Sequence, residues 1–234
     1  MTFLNPYPRP DGLPDDGYPF PSLDPAFVKE HFGAQLAEMR AKPSRQWEIS
    51  ERVLCTYLFI GLTQYLLDER AIAMAYFSAA CAIPRDVLIN IRYDKPIDSE
   101  AMRVFRKECE LVVSTPSRIS LREVNRLENT SVYLSNRIFK CLSYNGYSLS
   151  CDNVAVCARL CDYIDNQRAN RPGPLFIPAS QASMDCLTPP GITRVFRPIM
   201  KILDLPRVQF ARLNRFICGN FAVYKIKNGA RELL

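Results

Sequence analysis

The apolar positions of this chain recur mainly with helical spacing. Phe27, Val28, Phe32, Leu36 and Met39 make one stripe at steps of three and four, which predicts an amphipathic helix. Asp24 or Ser22 can open it, Pro25 suits its first turn, and Pro43 ends it. The next helix is predicted from about Ser44 to Leu67. Its second half, VLCTYLFIGL, is apolar on every side, the mark of a central helix. Asp68-Glu69-Arg70 reads as a polar break, after which AIAMAYFSAACAI continues helically to Pro84.

Beyond Pro84 the pattern is mixed. Val87, Ile89, Ile91 and Tyr93 alternate, which predicts a short strand. A helix is expected from Asp98 or Ser99 through Val113. Ser120 and Glu123 match a capping box for another, which Asn145-Gly146 should end. Ser150 opens a further helix with Val154, Cys157, Cys161 and Ile164 inward. Pro198 falls in the first turn of a short helix, Pro206 opens one that Gly219 ends, and Phe221 to Lys227 reads as a strand. The two candidate strands could pair as a small β ribbon. The fold class predicted is therefore mostly α: a single compact helical domain over residues 26–234.

Two segments escape the helical pattern. Residues 1–25 hold seven prolines, and proline fixes φ and removes an amide donor. This predicts an extended arm outside the core, dispensable for folding. Residues 170–191 hold five prolines and two glycines and predict a long ordered loop, a kind of segment that is often functional.

No apolar run in the sequence is long enough to span a bilayer. Val53–Leu67 is uncharged for 15 residues, whereas a spanning helix needs about 20. The expectation is no integral membrane span. Nine cysteines at scattered spacing, with no export signal, predict reduced thiols and a cytoplasmic or nuclear address. Cys157 and Cys161 fit a helix core better than a metal site, so no metal and no cofactor is expected.

Catalytic signatures are few. His31 is the only histidine, Gly-x-Gly does not occur, and there is no phosphate loop and no Gly-x-Ser-x-Gly elbow. His31 itself reads as a half-buried or surface residue. The expectation is a non-enzymatic protein.

Charge changes the picture. The formal net charge is +6, yet residues 1–25 carry one basic group against four acidic ones, and residues 192–234 carry nine against two. In that C-terminal segment Arg194, Arg197, Lys201, Arg207, Arg212, Arg215, Lys225 and Lys227 stand among Phe196, Phe210, Phe216, Phe221 and Tyr224. Cations attract phosphates and rings stack on unpaired bases, so these eight residues are the candidate nucleic-acid-binding set, with single-stranded RNA or another polyanion as partner. The rings are equally suited to a core with the cations on its wet side.

In the arm, Tyr18, Pro19 and Leu23 belong to a Tyr-Pro-x-Pro-x-Leu run that resembles the short motifs recruiting membrane-budding machinery. It makes the arm a candidate contact for a host protein. The whole profile of proline-rich arm, helical core and basic terminus is similar to that of small viral nucleoproteins or matrix proteins. The resemblance implies RNA binding, homo-oligomers and a structural or assembly role. The alternative is a protein-interaction adaptor or host-directed regulator acting through the arm and the 170–191 loop.

Overall fold

Asp24 begins the first helix as the sequence predicts. In the computed structural model its carboxylate accepts a hydrogen bond from Ala26 N at 2.6 Å and Pro25 fills the first turn. The structure describes residues 9–15, 20–43, 46–80, 83, 85–94, 96–114, 133, 136–149, 154–178 and 187–204. Helix α1 (Pro25–Ala41) buries Val28, Phe32, Leu36 and Met39. Trp47, also buried, donates from Nε1 to Met39 O at 2.8 Å, satisfying a carbonyl that the helix end leaves without an intrahelical partner.

Helix α2 (Ile49–Leu66) starts on a capping interaction, Glu48 N donating to Glu51 Oε2 at 2.7 Å. Every residue from Val53 to Thr63 is buried. The two threonines can lie inside because their hydroxyls donate back to the carbonyls of Arg52 and Phe59, at 2.8 and 2.7 Å. Helix α3 (Glu69–Ala80) packs along α2. Its alanines at 71, 73 and 75 are essentially unexposed, and such small side chains allow close approach. No helix among the described residues is long and apolar enough to cross a membrane.

The middle of the chain holds a short helix α4 (Arg85–Leu88), strand β1 (Arg92–Tyr93), helix α5 (Ser99–Ser114), strands β2 (Leu142–Tyr144) and β3 (Tyr147–Ser148), helix α6 (Val154–Tyr163), a π turn (Ile164–Arg168) and strand β4 (Gly173–Pro174). Helices α7 (Pro189–Val195) and α8 (Arg197–Ile202) follow. The four strands form one antiparallel sheet in the order β3-β2-β1-β4. The fold is mostly α with a small β ribbon, as the sequence predicts.

The described ribbon takes Arg92 and Tyr93 from the predicted 87–93 strand and adds residues that the sequence assigns otherwise. Asn145-Gly146 turns a β hairpin instead of ending a helix. Both residues have positive φ, 48° and 82°, as the tight two-residue hairpin turn requires. The alternating Val87–Tyr93 segment divides, its first residues closing α4 and only Arg92 and Tyr93 extended. Pro174 is tolerated in β4 because that strand lies at the sheet edge. The predicted elements at Ser120–Glu123, at 206–219 and at 221–227 lie outside the described residues.

The contacts group into two compact units: one is Asn5–Arg85 with Pro189–Leu234, the other Met1–Leu4 with Asp86–Thr188.

The arm requires a correction. Its last residues are part of the core. Phe20 is 2% and Leu23 1% exposed. The Phe20 ring stands 5.0 Å from that of Tyr57 and 5.5 Å from that of Tyr76, centroid to centroid. Gln64 donates from Nε2 to Phe20 O at 2.7 Å while its Oε1 accepts from Tyr76 Oη at 3.0 Å. Leu23 N donates to Gly61 O at 3.1 Å. Proline bars a segment from helix and sheet ladders but leaves its apolar side chains free to fill a groove.

Candidate functional site

Of the eight predicted nucleic-acid-binding residues, the structure describes Arg194, Arg197 and Lys201. Arg207, Arg212, Arg215, Lys225 and Lys227 lie outside the described residues. The three described cations are all exposed on consecutive turns of α7 and α8, at steps of three and four. The opposite side holds Ile192, Phe196, Ile199, Met200 and Leu203, all buried. Phe196 anchors this side, its ring 5.0 Å from that of Phe59 on α2. The rings-as-core reading therefore holds for Phe196. The cations project from a face fixed by burial beneath it.

The near acid, Asp204, lies 3.5 Å from Arg40 on α1. Among the described residues no carboxylate forms an ion pair with Arg194, Arg197 or Lys201. Chemically the arrangement can attract an anion.

Leu23, the last residue of the Tyr-Pro-x-Pro-x-Leu run, is buried inside its own fold. Tyr18 and Pro19 lie outside the described residues. His31 is exposed, stacked 4.1 Å from the Phe27 ring, with Nδ1 3.0 Å from Phe27 O. Cys55, Cys157 and Cys161 are buried thiols, and burial pushes the Cys55 thiol up to about 12. These thiols act as small hydrophobes.

A cavity of about 600 Å³ opens between residues 9–11, α1 and α2, with Phe32, Met39, Ile49 and Leu54 among its lining. Of its charged lining residues, Arg9 pairs with Asp15 at 2.6 Å and Glu51 with Lys42 at 2.5 Å.

Sequence reasoning missed Arg168. It ends the π turn, an irregularity that recurs at functional sites, and is 1% exposed. All its hydrogen-bond partners are main-chain carbonyls. Nε donates to Pro174 O and Leu175 O at 3.0 Å each, Nη1 to Ala169 O at 2.9 Å and Arg171 O at 2.6 Å, and Nη2 to Pro174 O at 2.7 Å. Its guanidinium carbon sits 4.5 Å from the centroid of the Tyr93 ring. Burial pulls its pKa below the ordinary value, and the charge of Arg171 acts in the same direction.

Neighbouring groups complete the node. Tyr163 Oη donates to Leu175 O at 3.1 Å and accepts from Ile177 N at 3.2 Å. Tyr93 Oη donates to Asn170 Oδ1 and accepts from Ile97 N at 2.7 Å. Burial pushes the Tyr93 phenol up to about 12. The predicted 170–191 loop is thus pinned along its first part, with Leu175, Phe176 and Ile177 buried. In the sequence Asn-Gln-Arg-Ala-Asn-Arg-Pro-Gly reads as solvated loop, and no local signal marks one arginine as interior.

Comparison of the chain with protein-family models, with curated proteins and with solved structures finds no match.

Proposed function

We propose that this is a non-enzymatic structural or assembly protein that binds nucleic acid, single-stranded RNA in the first instance, through its basic C-terminal segment 192–234. The observation that carries the reading is the exposure of Arg194, Arg197 and Lys201 on successive turns, above a buried apolar side. A face built this way holds its cations in place for a polyanion, and arginine's planar fork suits phosphate oxygens. The charge excess of the remaining segment, up to Arg231, adds to the same potential. Self-association and a cytoplasmic or nuclear site of action belong to the same proposal. So does the likeness in profile to small viral nucleoproteins or matrix proteins.

The adaptor alternative draws less support. Leu23 of the arm and residues 175–177 of the loop are buried within the fold. The test is binding of the full chain to a fluorescent oligouridine at low salt. The triple variant Arg194→Gln/Arg197→Gln/Lys201→Gln should bind more weakly while melting as the wild type does. Equal affinity for the two proteins would contradict the reading.

A further inference from the structure

Residues 169–172 are four consecutive exposed positions, and each of the first three is tied down from below. Arg168 holds the carbonyl oxygens of Ala169 and Arg171 through Nη1, at 2.9 and 2.6 Å. The Asn170 amide is latched to the backbone of Ile97, donating from Nδ2 to its oxygen at 2.7 Å and accepting from its N–H at 2.9 Å. Ala169 itself adopts φ 68° and ψ 146°, a conformation that residues with a Cβ rarely occupy. A buried cation, a side-chain latch and a strained backbone therefore fix the shape of an exposed tip.

The tip is also electrically uncompensated. Carbonyl oxygens solvate the Arg168 guanidinium without neutralising it. The neighbouring carboxylates are engaged elsewhere: Asp165 with Arg106 at 2.6 Å, Asp162 with Arg106 and Arg159 at 3.6 and 3.7 Å, and Asp94 with Arg92 at 3.5 Å. Arg171 is exposed and, among the described residues, forms no ion pair. Two positive charges thus share one rigid tip, the inner one in surroundings that screen it poorly.

We propose that the tip Asn170–Arg171–Pro172 is a preformed contact for the phosphodiester backbone of single-stranded nucleic acid, made by the Arg171 guanidinium. It is a second contact, carried by the unit that contains Asp86–Thr188. The proposal rests on the reading of the protein as a nucleic-acid binder. A fixed backbone lowers the ordering cost of binding, and the uncompensated charge beneath strengthens the attraction for an anion.

The experiment is anisotropy of a labelled oligouridine with the full chain, for wild type, Arg171→Gln, Arg171→Lys and the triple variant above. Arg171→Gln should weaken binding roughly fivefold and flatten the log–log salt slope by about 0.7, with melting unchanged because the side chain is exposed. Arg171→Lys should fall between, since it keeps the charge and loses the fork. If the wild type binds, the triple variant is weakened and Arg171→Gln is not, the tip proposal is overturned and the C-terminal reading stands. If Arg171→Gln is weakened and the triple variant is not, the tip stands and the C-terminal reading falls. No binding by the wild type overturns both. Displacement of RNA by polyglutamate from the wild type but not from Arg171→Gln would assign the tip to acidic protein surfaces, which also overturns the proposal.

Discussion

Leu23 fills the space above Gly61: a Cβ built on Gly61 would stand 2.5 Å from Leu23 Cγ and 2.7 Å from Pro21 O. The glycine is what lets an extended segment lie flat on a buried helix. Gly61→Ala should therefore destabilise the protein by about 1–3 kcal/mol despite the better helix propensity of alanine. Leu23→Ala should cost about 2–5 kcal/mol. Because the two side chains would compete for one space, the double variant should be less destabilised than the sum of the singles. Denaturant melts of the four proteins measure this, and strict additivity would show that the contact is absent.

Truncation should separate the arm into two parts. Deleting residues through Leu23 removes the Phe20 ring from Tyr57 and Tyr76 and leaves Gln64 without its carbonyl partner. Phe20→Ala alone should cost about 3–5 kcal/mol. A truncated protein with the wild-type melting midpoint would return the whole arm to the solvent.

Arg168→Lys should be strongly destabilising although it preserves the charge. Lysine is a point donor on a flexible stem and cannot serve four carbonyls with the geometry of a fork. Carbonyls left without donors cost about 1–3 kcal/mol each when buried. Hydrogen exchange of Leu175 and Ile177 should quicken in this variant before that of α2. Unaltered protection there would mean that the node does not hold the loop.

Tyr93 predicts a feature at alkaline pH. Its folded pKa is raised, to about 12 from an ordinary 10, by burial. The raised value means that the neutral phenol's contribution is fully present below pH 10 and is lost as pH climbs from 10 towards 12. Stability should fall over that window in the wild type and less steeply in Tyr93→Phe. Parallel pH profiles for the two proteins would contradict the burial of the phenol as a neutral donor.

The helical part of the fold was legible because burial and local spacing agree. Val28, Phe32, Leu36 and Met39 repeat at helical steps and are all buried, and Asp24 with Pro25 marks the start that the structure adopts. Asn145-Gly146 reads as a helix stop because the same dipeptide serves both a helix end and a hairpin turn. Only pairing of Tyr144 with Tyr147 across it distinguishes the two. Phe20 and Leu23 were hidden by their prolines, which signal extended chain and say nothing of what it lies against. Arg168 was hidden for a different reason: its partners are carbonyl oxygens, which every residue has, so no residue type announces them.

The most direct measurement of the central claim is the salt dependence of oligouridine binding by the full chain. Neutralised phosphates release counterions, so log affinity should fall linearly with log salt, by about 0.7 per contact for a single strand. Replacing Arg194, Arg197 and Lys201 with glutamine should flatten that slope by about 2, the value for three lost contacts. A wild type that binds with this steep slope, and a variant that loses that share of it, is the predicted result. No binding at low salt, or an identical slope in the variant, would contradict the assignment of this face to nucleic acid.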